Sequence, residues 1–373
     1  MAYLPDILRG VRILDLSQYI PGPLATLVLA DMGAEVLKIE PPGGDQMRAL
    51  GPKTAEGEPI YFAALNAGKV SMSVDLKSAN GKGQFLQLVR TADVLVESFR
   101  PGVMERLGLD FDTLRTLNPG LVYCSISGYG SGGAMAHTAG HDAQYLALAG
   151  VLYRNGMGSG PQFFDPPVAD GVGSLWAALA ILGAIHARTR DGKGCHLDIA
   201  LADAIMPLQG IAVAALSHEA SSPQPGSTYL NGGAAYYNVY ATSDGRHVAL
   251  GAVELKFWNA FCLAAGRLDW VSRHSDTIPQ NALKNEISRY FVGLTLDQAT
   301  TLFGSADCCF SPILDLREAC DSPYHSERGI LVRAEDGTIQ TLTPALFNNE
   351  RLSPRPPLRK TSINDFLSAP WKK

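Results

Sequence analysis

The sequence predicts an α/β protein: a large domain with a Rossmann-like parallel sheet, and a smaller α+β domain. Over roughly the first third of the chain, apolar runs of strand length alternate with segments of helical pattern, which is typical of a parallel sheet. Hydrophobic residues make up 46% of the 373 residues and charged residues 18%, as in a globular chain with a sizeable core. A chain of this length is expected to form one large domain or two unequal ones.

The alternation begins with a β-α-β unit. Residues 11–16 form an apolar run that predicts a buried strand. A Pro-Gly-Pro turn at 21–23 then opens a helix that Gly33 ends, and residues 35–40 form the next strand. The helix lacks a GxGxxG opening, so the sequence does not carry a dinucleotide-binding fingerprint.

The same pattern continues along the chain, with helices predicted at 81–90 and 111–117 and strands at 70–76, 94–97 and 121–126. Ligands of such sheets bind beyond the carboxyl ends of the strands. The loops at 98–102 and 127–141 both follow strands, so they are expected to line one crevice.

The pattern of predicted strands and helices changes after a turn-rich linker at 221–227. Strands at 236–240 and 247–250 flank a Ser-Asp-Gly-Arg turn, which is a hairpin pattern, and a helix follows. We therefore predict a large domain over residues 1–220, a small α+β domain over 231–319, and a return of residues 330–373 to the large domain.

Charge and composition exclude several classes of protein. A net charge of -5 argues against nucleic acid as the main partner, because phosphate binding needs a basic face. Six cysteines without CxxC spacing indicate reduced thiols and neither a zinc site nor a disulfide framework. The N-terminal residues show no signal-peptide pattern, and the apolar segment 175–185 is too short to span a bilayer. We expect a soluble, cytoplasmic protein that does not bind membranes.

Three ionisable residues, His141, Asp170 and Glu254, each stand at the start of an apolar segment and just after Gly or small residues. Taken singly, each has a structural alternative: His141 as a helix cap or in a hydrogen-bonded pair with Asp142, Asp170 as a helix cap, and Glu254 as a carboxylate on a helix dipole. Together they suit the removal and return of a proton next to a carbonyl, which needs two bases on opposite faces of the substrate.

The chain resembles the class III CoA-transferase (CaiB/BaiF) family over nearly its whole length. The motifs that carry this resemblance are ILDL at 13–16 with PGP at 21–23, LADMGAEVLKIE at 29–40, VDLK at 74–77, ESFRPG at 97–102, ERLG at 105–108 and SGYG at 127–130. The α-methylacyl-CoA racemase branch is resembled more specifically by AGHD at 139–142, YLAL at 145–148, GGA at 232–234 with YY at 236–237, and GAVE at 251–254 with Phe257.

This resemblance implies roles for individual residues. His141 and Asp170 would be the acid–base pair acting on a 2-methylacyl-CoA, with Glu254 paired to the His. In the transferases the residue matching Asp170 instead attacks the thioester. The coenzyme contacts implied by the family fall on Val74, Asp75, Leu76, Lys77, Ser98, Phe99, Arg100, Pro101, Gly102, Val103, Arg106, Gly140, Asp142 and Tyr145.

The resemblance also implies an interlocked homodimer, in which Glu254 of the partner subunit reaches the site. No metal or redox cofactor is implied, since coenzyme A enters as part of the substrate. The sequence departs from the racemase pattern at Pro41, where that branch has an Arg that contacts the nucleotide. Lys38 could take over this contact, or the nucleotide contacts differ in this chain.

Three functions stay open at this point. The first is racemisation of a 2-methylacyl-CoA at its α-carbon. The second is transfer of CoA between carboxylic acids with Asp170 as the nucleophile, and the third is binding of CoA without turnover. His141 and Glu254 favour the first, because a transferase has no evident need for a second base.

Overall fold

The computed structural model describes residues 7–54, 57–155, 160–218, 222–334, 337–368 and 371. The chain divides into two compact units. The larger unit contains residues 1–149, 164–209 and 323–373, and the smaller unit contains residues 150–163 and 210–322.

The strands of the described residues, in chain order, are β1 Arg12–Asp15, β2 Glu35–Glu40, β3 Val70–Ser73, β4 Val94–Glu97, β5 Val122–Ser127, β6 His196–Ala200, β7 Tyr237–Ala241, β8 His247–Gly251, β9 Phe310–Pro312, β10 Leu331–Arg333, β11 Ile339–Thr341 and β12 Arg359–Lys360.

The α-helices of the same residues are α1 Pro21–Asp31, α2 Ile60–Asn66, α3 Ala79–Val89, α4 Val103–Leu107, α5 Phe111–Leu117, α6 Asp142–Leu148, α7 Val151–Asn155, α8 Val168–Asp191, α9 Leu201–Ala204, α10 Gly210–Leu216, α11 Leu255–Ala264, α12 Asn281–Val292, α13 Leu296–Phe303, α14 Leu316–Cys320, α15 Pro323–Arg328 and α16 Ile363–Ser368.

A seven-stranded sheet forms the centre of the larger unit in its described residues, in the order β12-β3-β2-β1-β4-β5-β6. Every pairing in this sheet is parallel, which confirms the predicted Rossmann-like alternation. Chain order reverses between β1 and β4, and at such a switch point the loops after the two strands diverge and leave a crevice. The loops after Asp15 and Glu97 therefore border the place where this sheet type binds ligands.

The two faces of the sheet are covered by different helices. Helices α1 and α8 pack against each other, and α8 also packs on β5 and β6. A separate apolar cluster contains Phe85 from α3 and Leu114 from α5 together with Leu14, Leu95 and Phe366 of α16. The strands thus read as nearly continuous apolar runs because both of their sides are buried.

Helix α8 is longer than the apolar segment 175–185, which by its own length is too short to span a bilayer. It has 24 residues with a mean hydropathy of 1.7 in its most apolar window, so by length and composition alone it could cross a membrane. One such helix is weak evidence, because core helices of soluble proteins pass the same test. The helix is also not buried all round, since Leu175 and Leu179 are 56% and 57% exposed on one side.

The smaller unit is built on an antiparallel sheet with the order β7-β8-β9. Its core is aromatic. One cluster of almost fully buried side chains contains Trp258, Phe261, Trp270, Phe291 and Phe303, and all of these but Trp270 lie on helices α11 to α13. The predicted hairpin and the α+β character of this region are both present. The unit begins at residue 210 and not at 231, and it includes residues 150–163, which the sequence placed in the large domain.

Candidate active site

Asp170 lies at the third position of helix α8, where it is half-buried. The cap position is occupied by Pro167, whose side chain makes no capping hydrogen bond. The alternative in which Asp170 caps the helix is therefore wrong. Burial, and second the neighbouring charge of Asp142, raise the pKa of Asp170 to about 7. A carboxyl group in this state can both donate and accept a proton near neutral pH.

His141 is the residue that precedes the first turn of helix α6, and its side chain is exposed. Its backbone N–H donates a 3.0 Å hydrogen bond to the side-chain oxygen of Gln144. The backbone at His141 is thus held in place while the imidazole remains accessible. This arrangement suits a group that exchanges protons with a bound molecule.

The loop before His141 needs glycine because two tyrosines pack directly on it. The hydroxyl of Tyr145 donates a 2.7 Å hydrogen bond to the carbonyl of Gly140, and its ring meets that of Tyr129 edge-on. A Cβ atom on Gly140 would lie 2.7 Å from the hydroxyl of Tyr129 and 2.8 Å from the ring of Tyr145. Tyr145 itself is buried, so its side chain supports the loop that carries His141.

The starts of helices α6 and α8 are brought together within the larger unit. The two helices pack against each other. The backbone N–H of Asp170 donates a 3.1 Å hydrogen bond to Oδ1 of Asp142, the residue next to His141. An imidazole and a carboxyl with a raised pKa therefore stand on adjoining helix starts.

The predicted coenzyme segments lie at the carboxyl edge of the same sheet. Residues 98–103 follow β4 at the switch point, and Ser98 accepts a 2.9 Å hydrogen bond from the backbone N–H of Gln18 in the loop after β1. Gly102 has a φ of 84°, and a Cβ there would lie 3.1 Å from Nη1 of Arg106. The side chains of Arg100 and Arg106 are exposed, so both guanidinium groups are accessible to a phosphate.

Residues 74–77 form the connection from β3 to α3. Val74 is buried, whereas Asp75 and Lys77 are exposed and Leu76 is half-buried. The carboxylate of Asp75 accepts a 3.0 Å hydrogen bond from the backbone N–H of Lys77, which shapes the turn. Lys77 is thus a further exposed cation that follows a strand of the parallel sheet.

Lys38 does not fit the role suggested for it. Its side chain is fully buried, and its ammonium lies 3.0 Å from the carboxylate of Asp45 and 4.0 Å from that of Asp15. It also donates a hydrogen bond to the carbonyl of Ser17. The ammonium of Lys38 is paired with buried groups of the protein. The structure therefore argues against the suggestion that Lys38 contacts the nucleotide in place of the Arg that is missing at Pro41.

Glu254 lies in the smaller unit, where it precedes the first turn of α11 and is exposed. Burial, and then the nearby charge of Glu254, raise the pKa of the Cys309 thiol within that unit. The pairing of Glu254 with His141 stays a prediction.

One ionisable group that the sequence did not single out is Glu97, the last residue of β4. Its side chain is 6% exposed, and burial raises its pKa to about 7 although it accepts a 2.8 Å hydrogen bond from the backbone N–H of Phe99. Glu97 borders a cavity of about 370 Å³ that is also lined by Arg100, Tyr123 and His196. An acidic residue at the end of an otherwise apolar strand was the signal that could have identified it.

With this geometry established, comparisons with known proteins define the class. The family model described as CoA-transferase family III matches residues 8–360. The chain is 32% identical over 346 residues to alpha-methylacyl-CoA racemase from Homo sapiens, covering 92% of this chain and 87% of the relative. It is 31% identical over 335 residues to acetyl-CoA:oxalate CoA-transferase from Acetobacter aceti, covering 87% and 85%.

Solved structures agree with this assignment. A CaiB/BaiF family protein from Brucella suis superimposes with a TM-score of 0.84 at 27% identity, covering 97% of both chains. The chain therefore belongs to CoA-transferase family III, as the sequence motifs implied. Members of this family that resemble it include both racemases and CoA-transferases, so it is an enzyme family with two reaction types.

Proposed function

We propose that this chain catalyses racemisation of 2-methylacyl-CoA thioesters at the α-carbon, with His141 and Asp170 as the two acid–base groups. The observation that supports it most is the placement of these residues on adjoining helix starts, with the pKa of Asp170 raised to about 7 by burial and by Asp142. A permanently ionised carboxylate could remove a proton but could not return one, whereas Asp170 has both forms available near neutral pH.

The proposed reaction balances with these two side chains alone. One base takes the proton from the α-carbon, and the electron pair of the broken C–H bond moves toward the thioester oxygen to give an enolate. The conjugate acid on the other side then donates its proton to the α-carbon, and the configuration is inverted. Each turnover leaves the two groups with exchanged protonation, which solvent restores. No metal or redox cofactor takes part in this proposal.

The coenzyme part of the substrate is proposed to lie at the switch point between β1 and β4. The exposed cations Lys77, Arg100 and Arg106 supply charge for its phosphates, and residues 98–103 supply the turn beside them. Because the chain is similar to racemases and transferases alike, the likeness alone does not separate the two reactions.

A second candidate is transfer of CoA to a carboxylate, with Asp170 as the nucleophile that forms a mixed anhydride. The similarity to acetyl-CoA:oxalate CoA-transferase favours it. A pKa of about 7 leaves the ionised form of Asp170 available as a nucleophile, so the pKa does not separate the two reactions; the presence of His141 is what favours racemisation, because a transferase has no evident need for a second base.

One incubation separates the candidates. The purified chain is mixed with an enantiopure 2-methylacyl-CoA in deuterium oxide, with and without added oxalate or succinate. Racemisation with deuterium at the α-carbon supports the proposal. Movement of CoA to the added acid without deuterium would establish the transferase, and tight binding of CoA with neither reaction would leave a binding protein.

We also propose that the active form is a homodimer in which the partner's Glu254 completes the site. Apolar surface supports this: Leu175 and Leu179 of α8 in the larger unit are more than half exposed, as is Ile211 of α10 in the smaller unit, at 82%. Light scattering should give a mass of about twice the 39.8 kDa of the chain. A monomeric mass in an active sample would contradict this part.

A further inference from the structure

The carboxylate of Asp142 is turned toward helix α8. Asp142 is the first residue of α6, directly after His141, and its Oδ1 accepts the backbone N–H of Asp170 at 3.1 Å. Both residues are half-buried. The resemblance placed Asp142 among the coenzyme contacts, but its carboxylate is directed at the residue proposed as the second acid–base group.

We propose that Asp142 is a positioning residue for Asp170: its carboxylate fixes the first turn of α8 and holds a negative charge beside the acid–base carboxyl. This inference rests on the proposed function, because it assigns to Asp142 a task within the same proton transfer. It gives different tasks to the two adjacent residues: His141 acts on the substrate, and Asp142 acts on Asp170.

The hydrogen bond that the backbone N–H of Asp170 donates to Asp142 anchors the start of α8. The N–H groups of a helix's first turn lack partners within the helix, so a carboxylate that accepts one of them fixes the position of that turn. Asp170 lies in this turn, and Pro167 at the cap position supplies no side-chain hydrogen bond. Loss of the carboxylate of Asp142 would leave the backbone at Asp170 without its cross-helix anchor.

The charge of Asp142 acts on the protonation of Asp170. A like charge close to a carboxyl favours its neutral form. Helices α1, α6 and α9 and strands β5 and β6 pack on α8. Among the described residues on these elements, Asp142 is the charged group that raises the pKa of Asp170 after burial itself. Tyr145, also on α6, is neutral at pH 7, since burial and then the charge of Asp170 raise its pKa to about 12.

The functional consequence is a balance between two protonation states. A racemase must start from either enantiomer, so Asp170 must be a base for one and an acid for the other. Without the charge of Asp142, burial alone would raise the pKa of Asp170, so a larger fraction of its carboxyl would be ionised at neutral pH and its donor role would weaken. Asp142 would thus help to set the fraction of Asp170 that is protonated and able to donate.

Asp142→Asn and Asp142→Ala separate the two contributions. The amide oxygen of Asn can still accept the N–H of Asp170 but has no charge, whereas Ala removes both. With 13C-carboxyl aspartate labelling and Asp170→Asn to assign the signal, the titration of Asp170 should move to lower pH by roughly one unit in Asp142→Asn. An unchanged titration would overturn the proposal, whether or not the protein is active.

Kinetics give the second readout. The limb of the pH–rate profile that follows Asp170 should move to lower pH in Asp142→Asn, with KM within about 3-fold of the wild type. In Asp142→Ala, kcat should fall by at least roughly 10-fold. In Asp142→Asn, kcat at low pH should be higher than in Asp142→Ala, because the amide can still accept the N–H of Asp170. A higher KM with the profile in place would return Asp142 to the coenzyme contacts and reject the inference.

The matched control is Asp191→Asn, which removes an exposed carboxylate from the opposite end of α8. It should leave both the Asp170 titration and the pH–rate profile unchanged. If the wild type shows neither racemisation nor exchange, the proposed function fails, and the labelled titration still decides the role of Asp142.

Discussion

Two neighbouring strands of the larger unit end in buried carboxyl groups that behave in opposite ways. Asp15 ends β1 and Glu97 ends β4, and the two strands pair directly at the switch point. Burial by itself would raise the pKa of Asp15, but Lys38 and Lys69 hold it at about 2. Within the described part of the chain no such cation offsets burial at Glu97, and its pKa rises to about 7.

The surroundings of Asp15 account for its low pKa. The ammonium of Lys69 lies 3.2 Å from its carboxylate and also donates to Thr26 at 2.8 Å and Asn66 at 3.0 Å. Burial, which is the largest effect on Lys69 itself, lowers the pKa of that amine to about 8. Charges and donors are matched here, so this cluster serves to hold β1, α1 and α2 together.

Asp170 belongs with Glu97 in this comparison. The charged neighbour that acts on it is the carboxylate of Asp142, which adds to the effect of burial. A buried charge with a matched partner depends on that partner, because removing one of the two leaves the other uncompensated, whereas unmatched buried groups are held at a cost and cluster at sites that do chemistry. The comparison therefore places Asp15 among the structural groups and agrees with the proposed catalytic role of Asp170, and it leaves Glu97 as an unmatched carboxyl beside the predicted coenzyme loop.

The largest expected effect comes from removing either of the two proposed acid–base groups, Asp170 or His141. Asp170→Ala and His141→Ala should each lower the rate of racemisation by roughly 10²- to 10⁴-fold, because each removes a general acid–base group. Affinity for CoA, measured by calorimetry, should stay nearly the same. Asp191→Ala, on the same helix as Asp170, serves as the control, and near-normal turnover in either active-site variant would contradict the assigned roles.

The next effect tests the matched cluster. Lys69→Met removes a buried cation and leaves Asp15 facing Lys38 alone, so the free energy of unfolding should fall by about 3–5 kcal/mol. Denaturant unfolding followed by circular dichroism measures the change. Lys193→Met, at an exposed lysine of the same unit, should stay within about 0.5 kcal/mol of the wild type. Equal stability of the two variants would show that the buried ion pairs contribute little.

The smallest effect concerns Glu97 and depends on pH. The folded state holds its proton up to about pH 7, while the unfolded state releases it near the ordinary value of 4.5. The folded state thus binds more protons between these values, and stability falls as the pH rises through this range. Glu97→Gln lacks this loss, so its stability relative to the wild type should increase by roughly 2–3 kcal/mol between pH 5 and pH 8.

Thermal unfolding of both proteins at the two pH values checks this prediction. Glu58→Gln, at an exposed carboxylate of the larger unit, is the control and should show the same difference from the wild type at pH 5 and pH 8. A Glu97→Gln variant that follows the wild type across the range would show that Glu97 is ionised in the fold, and the contrast with Asp15 would disappear.

The sequence predicted the parallel sheet because its strands are buried on both sides and are therefore apolar throughout. It also predicted that the loops at 98–102 and 127–141 follow strands, although it did not single out Glu97 at the end of β4. The burial of Lys38 was not predictable, because its pairing with Asp45 depends on which side chains meet after β2 ends. The same limit applies to Asp142, whose contact with Asp170 joins residues that are 28 positions apart.

The boundaries of the smaller unit were also missed, for a local reason. Residues 200–217 are largely apolar, as in a single helix, but Pro207 lacks a backbone donor. The segment divides into α9, a short 3-10 turn at Met206–Gln209 and α10. The change of unit falls at this break and not at the later turn-rich linker.

The edge of the parallel sheet beside β3 is covered by β12, a strand far later in the sequence. Arg355 just before it forms a two-pronged ion pair with Asp31 of α1, at 2.6 Å from each carboxylate oxygen. While the ribosome is still making the intervening residues, the edge of β3 has no partner and Asp31 has no guanidinium. The nascent chain must keep that edge from pairing with other polypeptides until residues 359–360 have been made, so closure of this sheet edge is expected late in folding.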